Sequence, residues 1–381
     1  FLDEIISPGS LQSHNFSVSG GSEKLRTALS LGYFEEKGLI ETSKFQRGTF
    51  KLSVDYSPTE KFNVSSNINL SRRYQDLTTP SLIDAVIGSP FTQVRDENGE
   101  LIRGDEDFRN PLTVIELDQV DRWRNRTFGN VTATYEIIKG LKFSTNLAVD
   151  FSSTQQGEYL DFSFVTNQSN EADIDYGSSF AYTIENILNY NRTFGQDHTI
   201  RATLLQSIQE SRNDGIGIVT SELPTRLLLY DGLTLGQPFA RNRDLTEWAL
   251  ESYMARFEYS FTDRYLMTLT GRIDGSSKFG AGNKYGFFPS AAFAWKLHRE
   301  AFFSNVEAFN ELKLRVSYGQ IGNQEIPVFR SLAATTGVGY VFGSSSLIGS
   351  VPSRLANEDL RWETTTSLNL GIDFGLYDDR V

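Results

Sequence analysis

The sequence predicts an all-β protein, a transmembrane antiparallel up-and-down β-barrel, and three observations support this prediction. Apolar and polar residues alternate in many segments, which gives each predicted strand one apolar and one polar face. These segments are about 10–15 residues long, and a tilted strand needs roughly 9–11 residues to cross a bilayer. The connections between them are short at one end and long at the other, as in outer-membrane barrels.

The alternation is clearest in residues 50–56 and 62–70. In the first segment Phe, Leu, Val and Tyr alternate with Lys, Ser and Asp, and in the second Phe, Val, Ile and Leu alternate with Asn and Ser. The polar stretch 57–61 between them is a predicted tight turn. Residues 141–151 and 367–374 repeat the pattern. Each segment therefore suits a strand with lipid on one side and a wet lumen on the other.

The pattern extends along nearly the whole chain. Thirteen strands are predicted, at 12–21, 25–35, 45–56, 62–74, 122–135, 141–152, 177–192, 198–211, 246–261, 265–275, 285–297, 311–321 and 362–376. The predicted short turns are 22–24, 57–61, 136–140, 193–197 and 262–264. The predicted long loops, which we expect to be extracellular, are 75–121, 153–176, 212–245 and 322–361.

Composition excludes several other classes of protein. The chain has no cysteine, and its three histidines, His14, His198 and His298, lie far apart, so neither disulfides nor a helical zinc site is predicted. A net charge of −12 argues against nucleic acid as a partner, because a phosphate backbone requires a basic face. Mean hydropathy is −0.33, as expected when half of each strand faces a polar lumen.

Aromatic residues cluster beside the short turns. The residues concerned are Tyr56, Phe62, Tyr135, Phe143, Tyr259, Phe261 and Tyr265. Rings at this end of each strand predict a periplasmic aromatic girdle at the membrane surface. The alternative is the general preference of aromatic residues for strands.

The strand count predicts that the barrel is incomplete. Thirteen is odd, whereas single-chain bacterial barrels have an even number of strands. Residues 377–381 read as a turn that follows a strand. We therefore expect the chain to be a segment of a longer polypeptide, because an open sheet would leave unpaired edges in lipid.

Several motifs follow one another in a specific order. They are HNFSVSGGSEK (14–24), LGYF (31–34), GLI (38–40), YMARFEYSF (253–261), DRY (263–265), RIDGSSKFG (272–280), GFFPS (286–290), AW (294–295), LKLRVSYGQ (312–320), GNQ (322–324) and LRWETTT (360–366). Together they resemble the SusC/RagA-like family of TonB-dependent outer-membrane transporters. The resemblance covers nearly the whole chain, and it adds a family to a fold predicted from the alternation alone.

The resemblance implies what lies outside this segment. Such transporters have about 22 strands and a plugged lumen. Residues 1–11 would then be a linker that follows an absent plug, and residues 12–381 a partial barrel in the outer membrane of a Gram-negative bacterium, in contact with its lipid. TonB would be contacted through the absent N-terminal region.

The resemblance also implies a function and partners. The expected function is TonB-dependent import of oligosaccharides or peptides, with a SusD-like surface lipoprotein as a lid and a dimer of transporter–lipoprotein pairs. No enzyme activity, cofactor or metal is expected. Two alternatives stay open: a barrel that serves as a scaffold or binding component of a larger envelope complex, and a surface hydrolase with its residues at the rim. No acid, base and nucleophile set can be assembled from the sequence for the latter.

Strand phase supplies the candidate substrate-binding residues. The apolar phase of strand 122–135 faces outward, so that the arginines at its start face the lumen. By the same reasoning the lumen-facing candidates near the extracellular rim are Arg73, Arg122, Arg124, Arg126, Arg272 and Asp274. The alternative is that these charges pair with one another, with loops or with the plug. Residues 274–280 superficially resemble a phosphate loop, but they lack its G-K-[ST] ending.

Acidic residues at 96–100 and 105–107 suggest a calcium loop only by composition. They do not fit the twelve-residue calcium-binding pattern, so a solvated turn is the better interpretation.

Overall fold

The computed structural model describes residues 2–87, 93–102, 110–162, 169–303 and 309–376. The strands are β1 (Ser10–Gly21), β2 (Leu25–Lys37), β3 (Lys44–Thr59), β4 (Phe62–Asp76), β5 (Gln119–Ile138), β6 (Leu141–Leu160), β7 (Glu171–Phe194), β8 (His198–Ser221), β9 (Gln237–Phe261), β10 (Tyr265–Ser276), β11 (Tyr285–Lys296), β12 (Phe309–Asn323), β13 (Ala334–Phe342), β14 (Ser345–Arg354) and β15 (Glu363–Leu376). Three short helices are α1 (Leu2–Ile5), α2 (Leu82–Ile87) and α3 (Pro111–Leu117), and 3₁₀ turns span Leu229–Leu235, Leu297–Arg299 and Ala301–Phe303.

Thirteen of the strands form one antiparallel up-and-down sheet. Each strand pairs with its neighbours in the chain, and β12 pairs with β15 because the β13–β14 hairpin lies between them in sequence. The predicted fold class and all thirteen predicted strands are confirmed. In the described part of the chain β1 and β15 each pair on one side only, so that the barrel is not closed.

Four strands extend further than the alternation predicted. β6 to β9 are 20, 24, 24 and 25 residues long. The predicted loops 153–176 and 212–245 were therefore too long, and the connections are 161–170 and 222–236. Above the membrane the outward face no longer has to be apolar, so the alternation fades there while the backbone pairing continues.

The other two long connections have structure of their own. The predicted loop 322–361 contains the β13–β14 hairpin, which the alternation did not reveal. The predicted loop 75–121 shortens to 77–118 and carries α2 and α3. Of the suspected calcium loop, 96–100 forms a turn in which Asp96 Oδ1 accepts the backbone N–H groups of Asn98 and Glu100. Residues 105–107 lie outside the described residues.

The two faces of the sheet follow the predicted phases. Leu52 on β3 pairs with Ile68 on β4, and both belong to the apolar face. One residue further, Ser53 Oγ donates to Asn67 Oδ1 at 2.8 Å on the polar face. On β15 the apolar-face residue Leu370 is 78 % exposed. The exposed apolar face is the outer, lipid-facing one, and the polar face lines the lumen.

Rings at the short-turn end form two groups on the outer face, one on β4 and β5 and one on β8 to β11. Ring centroids are 4.8 Å apart for His198 and Phe261, 6.2 Å for Phe261 and Tyr265, 6.1 Å for Tyr265 and Trp295, and 6.5 Å for Phe62 and Tyr135. These spacings suit offset or edge contacts between rings. Both groups lie where the predicted periplasmic girdle was placed.

Two small apolar cores lie at the long-loop end. Ile5, Ala85 and Leu112 bring α1, α2 and α3 together. Asn110 caps α3, because its Oδ1 accepts the backbone N–H of Leu112 at 3.0 Å. The second core joins Tyr159, Ala172 and Leu223, and so ties connection 222–236 to the extended strands.

The direction of the first strand places the start of the chain. β1 runs from the long-loop end to the short-turn end, because Ser10 pairs with Lys37 at the top of β2. Residues 2–9 therefore lie at the long-loop end, where Ser7 N–H donates to the carbonyl of Leu39 at 2.7 Å. That residues 1–11 follow a plug stays a prediction. Among the described residues no helix is both long enough and apolar enough to span a bilayer.

Candidate functional site

Three arginines stand side by side on the lumen face near the long-loop end. Arg47 on β3 pairs with Arg73 on β4, and Arg73 pairs with Arg124 on β5. Residues paired across antiparallel strands point to the same face. We call Arg47, Arg73 and Arg124 the arginine row.

Two further arginines flank the row on β5, and each has a partner on β6. Arg122 donates from Nε and Nη2 to Gln156 Oε1, at 2.9 and 2.6 Å. Arg126 makes a two-pronged contact with Asp150, at 2.9 and 2.5 Å. These contacts hold both guanidinium groups against the wall.

No residue of the arginine row forms an ion pair with a described carboxylate, although Asp150 lies close enough to Arg124 for their charges to interact. Every described ion pair involves other groups, and neither Arg73 nor Arg124 has a hydrogen-bond partner among the described side chains. Arg47 lies over the ring of Phe34, 5.5 Å from its centroid. Arg124, Arg47 and Arg126 are close enough to Arg73 for their charges to act on it. Like charges directly opposite one another destabilise a sheet.

A cavity of about 400 Å³ opens beside the row. Arg73, Arg122 and Arg124 form one wall, with Gln75 and Gln156 beside them. Two carboxylates and an amide also line the cavity, from Asp175, Asp244 and Asn242, and Asp175 pairs with Gln156 across β6 and β7. The cavity thus holds guanidinium groups together with carboxylates and carboxamides.

The structure separates the six predicted residues into two groups. Arg73, Arg122, Arg124 and Arg126 lie together, whereas Arg272 and Asp274 lie on β10, five strands away from β5 in the sheet. Arg272 Nε donates to both oxygens of Asp274 at 2.8 Å, and its Nη2 donates to Ser252 at 3.0 Å. Asp274 is only 8 % exposed, and its carboxylate and the Arg272 guanidinium group neutralise each other.

Arg47 was missed from the sequence. The sequence could have predicted that Arg47 faces the lumen, because it shares the polar phase of Lys51 and Ser53 in the same strand. Only the strand register, however, shows that it stands next to Arg73.

Carboxylates collect above the cavity, beyond the membrane-spanning part of the strands. Asp173 on β7 pairs with Glu158 on β6, and Asp175 follows on the same face. Burial, and then the charges of Asp175 and Glu158, raise the pKa of Asp173 to about 6. Its Oδ1 is buried and has no hydrogen-bond partner among the described residues.

A buried carboxylate fixes connection 222–236 to the outer side of the extended strands. Asp121 accepts hydrogen bonds from the hydroxyls of Tyr74 and Tyr230, at 2.6 and 3.1 Å. Burial, and then Asp121, raise the pKa of Tyr230 to about 12. Within the described residues no group of three or more His, Asp or Glu side chains is arranged to hold a metal ion.

Fold and site together define a class: an outer-membrane β-barrel with a polar, arginine-bearing lumen. Residues 55–381 match the family described as TonB dependent receptor-like, beta-barrel. The chain belongs to this family, and the resemblance to SusC/RagA-like proteins is confirmed at the family level. Proteins of this family lie in the outer membrane of Gram-negative bacteria, and so does this one.

The relatives include TonB-dependent receptor P3 of Formosa agariphila, 31 % identical over 400 residues, which cover 100 % of this chain and 39 % of that protein. TonB-dependent receptor SusC of Bacteroides thetaiotaomicron is 28 % identical over 427 residues, which cover 100 % of this chain and 41 % of that one. This chain therefore spans about two fifths of the length of these relatives.

Among solved structures, the RagAB peptide transporter superposes with a TM-score of 0.80 at 21 % identity, over 100 % of this chain and 44 % of that one. At this identity the likeness shows the fold alone.

Proposed function

We propose that this chain forms much of the barrel of a TonB-dependent transporter that imports oligosaccharides or peptides across the outer membrane. The observation that carries the proposal is the arginine row, which forms no ion pair within the described residues and lies beside an open cavity. The cavity is at the long-loop end of a lumen lined by polar side chains. A relative named SusC and a structural neighbour described as a peptide transporter support the same function.

The described residues suit binding and passage. The candidate groups are guanidinium, carboxamide and hydroxyl groups on the lumen wall, which bind a polar substrate reversibly. Such contacts orient a substrate without a covalent step, and release then needs an energy source. In this proposal TonB supplies it through a region that precedes the barrel.

The proposal includes a surface partner. A SusD-like lipoprotein would close the long-loop end, where the two small cores stiffen the connections. A dimer of such transporter–lipoprotein pairs completes the assembly that we propose.

The test is uptake by cells that carry the full-length protein. Accumulation of a labelled oligosaccharide or peptide mixture should require the protein and should stop when TonB is deleted or the proton-motive force is collapsed. Binding to the cell surface should persist in both cases. Uptake that continues without TonB would contradict the proposal, and surface binding with no uptake would favour the scaffold alternative.

A further inference from the structure

The arginine row is an unfavourable arrangement in the absence of an anion. Its three residues occupy directly paired positions on adjacent strands, where side chains start only about 4.5–5.5 Å apart. The chain carries 48 acidic residues against 36 basic ones, yet no described carboxylate contacts the row. An anion bound across the row would remove this repulsion.

We propose that the row binds the acidic groups of an anionic oligosaccharide, one that carries carboxylate or sulfate groups along its chain. This inference rests on the proposed function and names the substrate class of its site. The planar guanidinium group matches a carboxylate or sulfate with two parallel hydrogen bonds, which a neutral sugar cannot accept in the same way.

The surroundings of the row favour a sugar polymer over an acidic peptide. β3, β4 and β5 each pair with a neighbouring strand on both sides, so their backbone hydrogen-bonding groups are already used. A peptide therefore cannot add to them as a further strand. Below the row the lumen wall offers hydroxyls and amides, as where Thr132 Oγ1 donates to Asn146 Oδ1 at 2.9 Å. Sugar hydroxyls need such mixed donors and acceptors.

The cations and carboxylates that line the cavity give the substrate an orientation. Asp175 and Asp244 accept hydrogen bonds from sugar hydroxyls and repel acidic groups. The acidic edge of the polymer therefore turns to the row, and its hydroxyl edge turns to Asp175 and Asp244. Arg122 and Arg126 are fixed by their own partners and border the row at either side along β5.

The test is equilibrium binding to the purified full-length protein in detergent, which needs no energy source and is thus independent of the uptake test. The probes are an oligogalacturonate, its methyl-esterified form of equal length, and an oligoglutamate of equal charge. We expect the oligogalacturonate to bind and the methyl ester to bind weakly. The double variant Arg73→Gln/Arg124→Gln should weaken oligogalacturonate binding at least about 10-fold, since hydrogen bonds to charged groups are lost.

Two control variants separate binding from folding. Arg26→Gln removes a lumen-facing arginine at the short-turn end of β2, opposite Asp55, and should leave affinity unchanged. Arg73→Lys/Arg124→Lys keeps the positive charges but loses the planar, two-pronged geometry of guanidinium. Its affinity for oligogalacturonate should therefore lie between those of the wild type and Arg73→Gln/Arg124→Gln.

Three outcomes would overturn the inference. The first is equal binding of the methyl ester. The second is tighter binding of oligoglutamate, which would assign the row to acidic peptides. The third is a lower melting temperature of ligand-free Arg73→Gln/Arg124→Gln, which would mean that the row pairs with a carboxylate elsewhere in the polypeptide. The first two outcomes leave the proposed transport function standing. The third would remove the observation that carries it, and the uptake test would then decide that function by itself.

Discussion

Charged side chains at the long-loop end differ in how completely their neighbours compensate them. Arg126 and Asp150 compensate each other, and so do Arg272 and Asp274. Asp173 is the opposite case, because burial and two neighbouring carboxylates disfavour its ionised form. Strand phase identified which arginines face the lumen. It could not show that the pKa of Asp173 is raised. Asp173 lay within the predicted loop 153–176, and the burial of its Oδ1 depends on the tertiary structure.

The raised pKa of Asp173 gives a pH dependence with a definite sign. Between the ordinary value of 3.8 and about 6, the folded protein holds a proton that the unfolded chain has lost. The contribution of Asp173 to the free energy of unfolding is therefore most favourable at low pH and falls as pH rises through about 6. Asp173→Asn should raise the melting temperature of the full-length protein at neutral pH and flatten its dependence between these two values.

Thermal unfolding in detergent across a pH series measures this effect. Asp175→Asn is the matched comparison, since it removes one neighbouring charge but keeps the carboxyl group of Asp173. Asp175→Asn should raise the melting temperature by less than Asp173→Asn does, and the melting temperature should still depend on pH. A melting temperature of Asp173→Asn that is lower than wild type at neutral pH would refute the prediction.

A comparison of predicted and observed strands shows where the alternation of apolar and polar residues predicts the structure and where it does not. Alternation located all thirteen strands of the sheet and the short turns between them, because lipid on one side and water on the other impose the period of two. It failed where that constraint ends, at the tops of β6 to β9. It also failed in β13–β14, where glycine and serine dilute the apolar phase of the hairpin.

A close approach between a strand and a connection offers a test of how 222–236 is held. A Cβ added at Gly157 on β6 would lie 2.6 Å from the ring of Tyr230. Gly157→Ala should therefore push the Leu229–Leu235 turn away from Asp121 while the β5–β6 ladder survives. Cleavage by trypsin at the exposed Arg226 should become about 10-fold faster or more, as overpacking shifts a local opening equilibrium.

Gly177→Ala on β7 is the control, because no heavy atom lies within 4 Å of its added Cβ. Its cleavage rate should match that of the wild type. Equal cleavage rates for both variants and the wild type would show that the contacts of Tyr230 do not hold connection 222–236 in place.

At the scale of the whole molecule, the described sheet is open at β1 and β15. Unpaired backbone groups at such edges are not tolerated in the hydrocarbon layer, and we therefore propose that further strands complete the barrel. The relatives, of which this chain spans about two fifths, are long enough to supply them. Sequence pattern established the class of fold, whereas closure depends on residues beyond the described sheet.

This reasoning predicts the size of the native protein. Intact mass of the polypeptide in the outer-membrane fraction should exceed the 42.9 kDa of this chain about twofold or more, since barrels of this class have about 22 strands and a plug. A lipoprotein should co-purify with it. A native product near 42.9 kDa would remove the plug, the coupling to TonB and active transport from the proposal.

The unequal strand lengths give the mouth of the barrel a slope. β7, β8 and β9 have 24, 24 and 25 residues, whereas β10 and β11 have 12 each. At the usual rise and tilt of barrel strands, the twelve or thirteen additional residues of the longer strands correspond to about 30 Å along the barrel axis. In the transport that we propose, a long polymer enters over the low side, and a lid closes the mouth only if its own surface follows this slope.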